Sequence, residues 1–289
     1  MANNSKGFLL AVDIDGTLLT HDHRLLPQVR EAVRHARRHG IQLALVSARS
    51  VNAVRTVLNM LGDVDHAICF GGALTMSMEG GALLMRPAAK RSHLCPADVA
   101  KVLAFARKYD LALAAYSADV ARVPTPDDRM RQEFSQTQEP FEFAAVSAQD
   151  PVFKFLAISH AANADDLDRL GADLSPDLSA VRSHRTYLEI GPQGVSKGRA
   201  LTDLAVDLGL DLENAVAVGD SNNDASMLRA VGHPVAMGDA TTEIRQLAKL
   251  ITATAAEGGV ARAIDHFAKA LWRIPPSRAE QEVKAGWVS

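Results

Sequence analysis

Hydrophobic residues enter this chain as short unbroken runs, and the stretches between the runs carry apolar positions at helical spacing. Phe8-Leu9-Leu10-Ala11-Val12, Ile41 to Val46, Ala67 to Phe70 and Ala215-Val216-Ala217-Val218 are too short for membrane spans and lack polar alternation. Runs of that kind predict strands buried on both faces of a parallel sheet. Between the first two, Leu26, Val29, Ala32, Val33 and Ala36 recur as one helical stripe, and Gly40 supplies its stop. Strand, helix and strand at this spacing predict a right-handed βαβ unit. After the second run, Val51, Val54, Val57, Leu58 and Leu61 predict another amphipathic helix. Gly71-Gly72 then marks a tight turn or a close backbone approach.

From about Arg86 the texture changes. The spacing predicts a helix over 97–109, a strand over 111–116 and a break at Val123-Pro124-Thr125-Pro126. Val152 to Ser159 sets Phe153, Phe155 and Ala157 against Lys154, the alternation of an antiparallel sheet with one wet face. A helix over 162–171 and two short strands near 179–182 and 186–190 follow. The α/β rhythm resumes with Ala200, Leu201, Leu204, Ala205 and Leu208 on one helical face, closed by Gly209. Short strands at Val235-Ala236-Met237 and Leu250-Ile251-Thr252 come next. Residues 258–271 then form a last helix with Val260, Ile264, Phe267 and Leu271 inward. An α+β module inserted into an α/β domain is the economical reading. Its expected boundaries are a first core segment over 1–85, the insertion over 86–187, a second core segment over 188–274 and a polar tail over 275–289.

Composition narrows the function more than the fold. The 289 residues are 22% charged and 47% hydrophobic with a net charge of −3, values ordinary for a soluble globular protein. No broad positive field exists to attract nucleic acid or an anionic membrane, so recognition of phosphate must come from a local site. Cys69 and Cys95 stand in dissimilar contexts and suggest neither a disulfide framework nor a zinc site. The N-terminus leads straight into the first strand without a leader pattern, so a cytoplasmic location is expected. Oligomeric state is not legible.

The candidate chemistry lies at strand ends. Asp13 and Asp15 follow the first run at its carboxyl end, where open α/β sheets bind ligands, and Gly16 turns the chain at once. A calcium loop is excluded because Arg24 stands where its closing acid belongs. A second buried run delivers Gly219-Asp220-Ser221-Asn222-Asn223-Asp224 in the same way. Carboxylates converging at such a point repel one another unless a cation or a proton neutralises them, and magnesium is the simplest neutraliser. Asp224 would then hold the metal's waters from one layer out. Ser47, between a strand end and a helix start, suits a phosphate or caps the helix. Lys197 either offers a fixed charge to a phosphoryl oxygen or is a solvated lysine. His21 and His23 are one residue apart, without an evident third metal ligand, and read as loop residues or contacts to the insertion. Arg182, His184, Arg185 and Tyr187 cluster before the return to the core and form either a basic turn or a surface for the leaving group.

Taken together, Asp13-Ile14-Asp15-Gly16-Thr17, Ser47, Lys197 and Gly219 to Asp224 resemble the four ordered motifs of the haloacid-dehalogenase-like phosphohydrolases. The insertion, and the run from Leu188-Glu189-Ile190 to Lys197-Gly198, resemble the Cof-type (subfamily IIB) sugar-phosphatase branch. This resemblance implies a Rossmann-like parallel-sheet core with an inserted α+β cap domain that closes over the site. It also implies a magnesium-dependent phosphatase of small phosphorylated metabolites. Asp13 would be the nucleophile and Asp15 the general acid and base. Asp13, the backbone carbonyl of Asp15 and Asp220 would ligate the metal, with Asn223 and Asp224 in support, and Thr17, Ser47, Lys197 and Asn223 would surround the phosphoryl group. Two positions depart from the family pattern. Ser47-Ala48-Arg49 stands for the usual Thr/Ser-Gly-Arg, and Gly71-Gly72-Ala73 for Asn-Gly-Ala, which touches substrate positioning more than the chemical step. A sugar phosphomutase and a non-catalytic protein that binds phosphorylated metabolites are the alternative readings.

Overall fold

The computed structural model describes residues 7–62, 64–85, 93–137, 139–174 and 176–273. The chain divides into two compact units. The first comprises residues 1–48, 56–90 and 196–289, and the second residues 49–55 and 91–195.

The apolar runs of the first unit become strands β1 (Phe8–Val12), β2 (Ile41–Val46), β3 (His66–Cys69), β12 (Val216–Gly219), β13 (His233–Ala236) and β14 (Leu250–Ile251). With β4 (Leu74–Glu79) and β5 (Ala82–Met85) they form one sheet in the order β14-β13-β12-β1-β2-β3-β4-β5. The strands from β14 to β3 are parallel, and β4 and β5 extend the edge as an antiparallel hairpin. Strand order runs outward in both directions from the β1–β12 pair, and at such a reversal the connections leave a crevice at the carboxyl ends. In register, Val12 lies beside Val218, so Asp13 and Asp220 leave neighbouring strand ends almost together.

The helices follow the predicted stripes. Helix α1 (Pro27–Arg38) opens on a proline, which suits a first helical turn, and buries Val29, Ala32, Val33 and Ala36. Helix α2 is Val51–Leu61. In α6 (Lys197–Leu208) the Ser196 hydroxyl accepts from the Arg199 amide, Gly209 closes the helix in a left-handed turn, and the buried face includes Lys197. A short helix α7 (Ala225–Ala230) starts directly after Asp224, and the sequence pattern does not announce the short α8 (Thr242–Leu247). The last helix, α9 (Gly259–Phe267), passes into a wider π turn over Ala268–Trp272. That wider turn brings Trp272 to the core instead of the predicted Leu271.

The second unit is a six-stranded sheet in the order β10-β11-β9-β6-β7-β8. Its strands are β6 (Ala112–Tyr116), β7 (Ala121–Val123), β8 (Phe141–Phe143), β9 (Lys154–Ile158), β10 (Leu178–His184) and β11 (Tyr187–Pro192). All its pairings are antiparallel except β7 with β8. Helices α3 (Pro96–Lys108) and α5 (Asp165–Asp173) supply Val99, Val102, Leu167 and Leu170 to a core with Leu113, Phe155, Ala157, Leu188 and Ile190. The opposite face is not wet as expected. Helix α4 (Asp128–Thr137) buries Met130 and Phe134 there, and Leu156 and Ile158 are buried as well. Because β11 pairs with β9, residues 188–195 belong to this unit, and the core resumes at Ser196, later than position 188. The tail from 275 lies outside the described residues.

Candidate active site

Three local features of the first unit bring its charged groups together. The Asp13 amide donates to the Val218 carbonyl (3.0 Å), extending the β1–β12 ladder by one residue and fixing the start of the loop. Gly16 then turns at φ 75°, where an added Cβ would lie 2.7 Å from an Asp220 carboxylate oxygen. At the end of β3, Gly72 has φ 118°, and a Cβ there would come within 2.4 Å of the Ser196 carbonyl. The glycine lets this turn approach the start of α6, so the predicted close approach at Gly71-Gly72 seats the residue preceding Lys197.

Lys197 is the centre of what results. Its ammonium group donates to Asp13 Oδ1 at 2.5 Å, to Asp224 Oδ1 at 2.6 Å and to Asn223 Oδ1 at 3.2 Å. The lysine is 2% exposed, Asp13 4% and Asp224 0%. Such burial of charge is stable only with full pairing. Candidate ligand oxygens of Asp13, Asp220 and Asp224 all lie within 4.8 Å of one another. Three carboxylates therefore face one ammonium. Burial pushes the Asp13 carboxyl up to about 8, and Asp224 and Asp220 add repulsion that Lys197 does not cancel. Burial and Asp224 also raise Asp220. Burial works against the charge of Lys197, but Asp13 and Asp224 outweigh it and hold the ammonium above its ordinary range. An all-oxygen set with more negative than positive charge fits a hard divalent cation.

The remaining expected residues take more specific positions. The Thr17 hydroxyl donates to Asp220 Oδ1 (3.0 Å), so Thr17 orients a carboxylate in this arrangement. Asn223 accepts from Lys197 and from the Ser221 hydroxyl (2.9 Å), with its carbonyl oxygen turned to donors. The second Asp224 oxygen accepts from the amides of Asp220 (3.0 Å) and Ser221 (3.1 Å), which closes the loop after β12 as a capping box. Asp224 thus shapes the loop as well as adding charge. Ser47 is buried at the carboxyl end of β2, its amide bonded to Ile68 and its carbonyl to Gly71. Asp15 is exposed, and its carboxylate stands outside the three-acid cluster.

His21 and His23 diverge. The first lies 3.3 Å from Asp239 and the second 3.6 Å from Asp15, so the two rings serve different carboxylates. The expected set lacks Asp239, which lies three residues beyond Ala236 in the loop leaving the end of β13 and contributes to the raised pKa of Asp220.

Of the four candidate leaving-group residues, Arg182 and Tyr187 turn to opposite faces of the sheet. Arg182 pairs across the strands with Leu188, on the face covered by α3 and α5, and reaches the Ala164 carbonyl and Asp168 (2.9 Å). Arg182 also donates to the Arg185 carbonyl. Tyr187 points to the α4 side and donates to Glu133 (2.7 Å). The His184 side chain lies outside the described residues. Neighbours in sequence are separated here because successive strand residues face opposite ways.

A buried carboxylate beside a buried lysine and two further acids, at the crevice of a parallel sheet, suits a centre that handles a phosphoryl group. Residues 10–264 match the family of haloacid dehalogenase-like hydrolases, and the chain belongs to it as a phosphatase-type hydrolase. A relative in Escherichia fergusonii, named HMP-PP phosphatase, is 30% identical over 244 residues, covering 82% of this chain and 86% of its own. A haloacid dehalogenase-like hydrolase from Bacteroides thetaiotaomicron has a structure superposing with a TM-score of 0.80 at 26% identity, covering 91% of this chain and all of the other. A sugar phosphatase of subclass IIB shares the fold, with a TM-score of 0.74 at 22% identity over 90% of this chain and 98% of its own. Among the described residues no helix is long and apolar enough to cross a membrane.

Proposed function

We propose that this hydrolase is a magnesium-dependent phosphatase of small phosphorylated metabolites, of the sugar-phosphate type, working through an aspartyl-phosphate on Asp13. The observation that carries the reading is the Lys197 ammonium held between Asp13 and Asp224 with Asp220 close by. The names of the relatives, an HMP-PP phosphatase and a sugar phosphatase, support a small phosphorylated substrate.

Asp13 and Asp220, with the Asp15 backbone carbonyl, would hold magnesium, and Asp224 would support them. The ion, when bound, supplies positive charge that offsets carboxylate repulsion and draws in a phosphoryl group. Lys197 keeps Asp13 oriented and, together with the bound cation, draws its carboxyl toward the ionised form, and Ser47 and Lys197 offset charge as it spreads over the phosphoryl oxygens. Attack by an Asp13 oxygen on phosphorus displaces the alcohol, and water then cleaves the acyl phosphate, so one hard displacement becomes two easier ones. Asp15 gives its proton to the departing oxygen and takes one from the incoming water.

The test is phosphate release from a panel of phosphorylated sugars, cofactors and nucleotides, with magnesium or with chelator, beside Asp13→Asn. Magnesium-dependent turnover abolished in the variant is expected. Wild-type turnover by Asp13→Asn would remove the nucleophile assignment, and binding without release across the panel would favour a non-catalytic role.

A further inference from the structure

The turn that ends β3 runs through three consecutive residues with positive φ: Phe70 at 52°, Gly71 at 66° and Gly72 at 118°. It is bracketed by the two elements that carry the phosphoryl-binding candidates. The Gly71 amide donates to the Ser47 carbonyl (2.9 Å), and Gly72 packs against the carbonyl of Ser196, which precedes Lys197. Gly71 therefore stands between the end of β2 and the start of α6, about 5 Å from Ser47, as neighbouring strands are spaced.

The two glycines lack a side chain for different reasons. At Gly72 an added Cβ would come within 2.4 Å of the Ser196 carbonyl and 3.2 Å of the Lys197 amide, so packing forbids one. At Gly71, which is half-buried, an added Cβ meets no heavy atom of the described residues within 4 Å beyond its chain neighbours. Conformation does not demand glycine there either. A φ of 66° with ψ 15° is a left-handed geometry that asparagine adopts readily, and Phe70, with a far larger side chain, has φ 52° one residue earlier. What the missing side chain changes is the space beside Ser47, which stays open.

We infer that Gly71 is a specificity-determining position, whose absent side chain leaves room for a substrate that is bulky at the carbon carrying the phosphate. This rests on the proposed role of Ser47 and Lys197 in holding the phosphoryl group. A side chain one strand spacing from Ser47 would meet the first atoms beyond the ester oxygen, and the far end of a long leaving group lies out of its reach. The class favoured is a monoester of a ring or branched carbon, such as a phosphate on the anomeric carbon of a sugar. An ester of an exocyclic CH2 does not need the room.

The experiment measures kcat/KM on two esters of one hexose, with the phosphate on the anomeric ring carbon or on the exocyclic CH2, for the wild type, Gly71→Asn and Gly71→Ala. Dividing each variant by the wild type on the same ester cancels the intrinsic reactivity of the leaving group. Gly71→Asn should lose about tenfold or more on the ring-carbon ester, the scale on which a filled pocket rejects added bulk, and less than about twofold on the exocyclic one. Gly71→Ala, which adds only a Cβ, should show smaller losses in the same order. Losses equal on both esters, larger on the exocyclic one or absent would overturn the inference. So would a wild type that turns over the exocyclic ester and no ester branched at the phosphorylated carbon, a result independent of how the variants fold. Ser47→Ala tests the underlying reading separately. It should lower turnover of both esters alike, and unchanged rates on both would remove the phosphoryl site and the role of Gly71 with it.

Discussion

Each unit of this protein carries a lysine among carboxylates, and the two are built on opposite terms. In the second unit Lys154 meets Glu189 at 3.3 Å and lies 4.8 Å from the centre of the Tyr116 ring, with 19% and 34% of the two charged side chains exposed. Lys154 pairs with Glu189 and also draws down the Glu139 carboxyl that burial raises, water reaches both members of the pair, and an aromatic face takes part of the charge. Lys197, in the first unit, is sealed with Asp13 and Asp224, their side chains 2%, 6% and 0% exposed, and Asp220 adds a third acid. Desolvation outweighs what pairing returns at Asp13, though not at Lys197, so the arrangement is a poor stabilising device for its acids. The charge excess and burial that make it poor for stability suit a site that receives a cation and a phosphoryl group.

Removing the lysine from each site is the sharpest way to break the contrast. Lys197→Met leaves three acids facing one another, and a loss of about 3–5 kcal/mol in stability without divalent cation is expected from denaturant unfolding. Turnover should fall at least about a hundredfold, the usual scale for removing a preorganised donor at developing charge. Lys154→Met should cost about 1 kcal/mol, as pairs still reached by water do. If the two losses matched, burial would not be what separates the sites.

Titration probes the same difference. The Asp13 carboxyl has its ordinary value of 3.8 in the unfolded chain and about 8 in the folded one. Between those values the folded state binds more protons, so with chelator present stability should fall as pH rises from about 4 to about 8. Asp220, also raised, acts in the same direction. Added magnesium should flatten the slope, because a bound cation replaces the proton. Thermal unfolding across pH, with and without magnesium, gives the answer, and a stability that rises over this window with chelator would contradict it. In Asp13→Asn the slope should shrink even as turnover disappears.

A third pair grades the comparison. Arg37 grips Asp65 through two bonds of 2.9 and 2.5 Å, and Asp65 also accepts from the Leu43 amide at 2.8 Å, tying α1 to β2. Burial pushes the Asp65 carboxyl up, but Arg37 and the Leu43 amide outweigh it and leave it below the usual range. Its contribution is present above the unfolded value of 3.8 and is lost as pH falls through the lower folded one. Asp65→Asn should cost about 1–2 kcal/mol at neutral pH, between the two lysine sites, with no change in the magnesium dependence of turnover. A cost as large as that at Lys197 would show that geometry, more than burial, sets these energies.

The expectations from the chain were strongest where apolar runs are unbroken and helical stripes span several turns. Elements that were missed lack such patterns. Helix α4 offers two core residues, Met130 and Phe134, in a polar stretch, and α8 has six residues, too few to show a period. The β4–β5 hairpin carried a readable signal in its Gly80-Gly81 turn between apolar runs. At the site, Asp13, Asp220, Asp224 and Lys197 were legible because strand ends and helix starts can be located from the runs beside them. Arg182 and Tyr187 looked like one cluster because sequence adjacency hides the alternation that sends them to opposite faces.

The chain by itself determined where its strands end, and with that which carboxylates arrive at the crevice, since buried runs and their flanking turns are local properties. Only the tertiary structure decided what those groups do to one another. The β1–β12 register sets Asp13 beside Asp220, and the Gly72 approach seats the start of α6. Lys197, which the sequence leaves as either a solvated side chain or a site charge, is buried against Asp13 and Asp224. Coulomb energy depends on separation and on exclusion of water, and both are set by contacts between residues far apart in the chain.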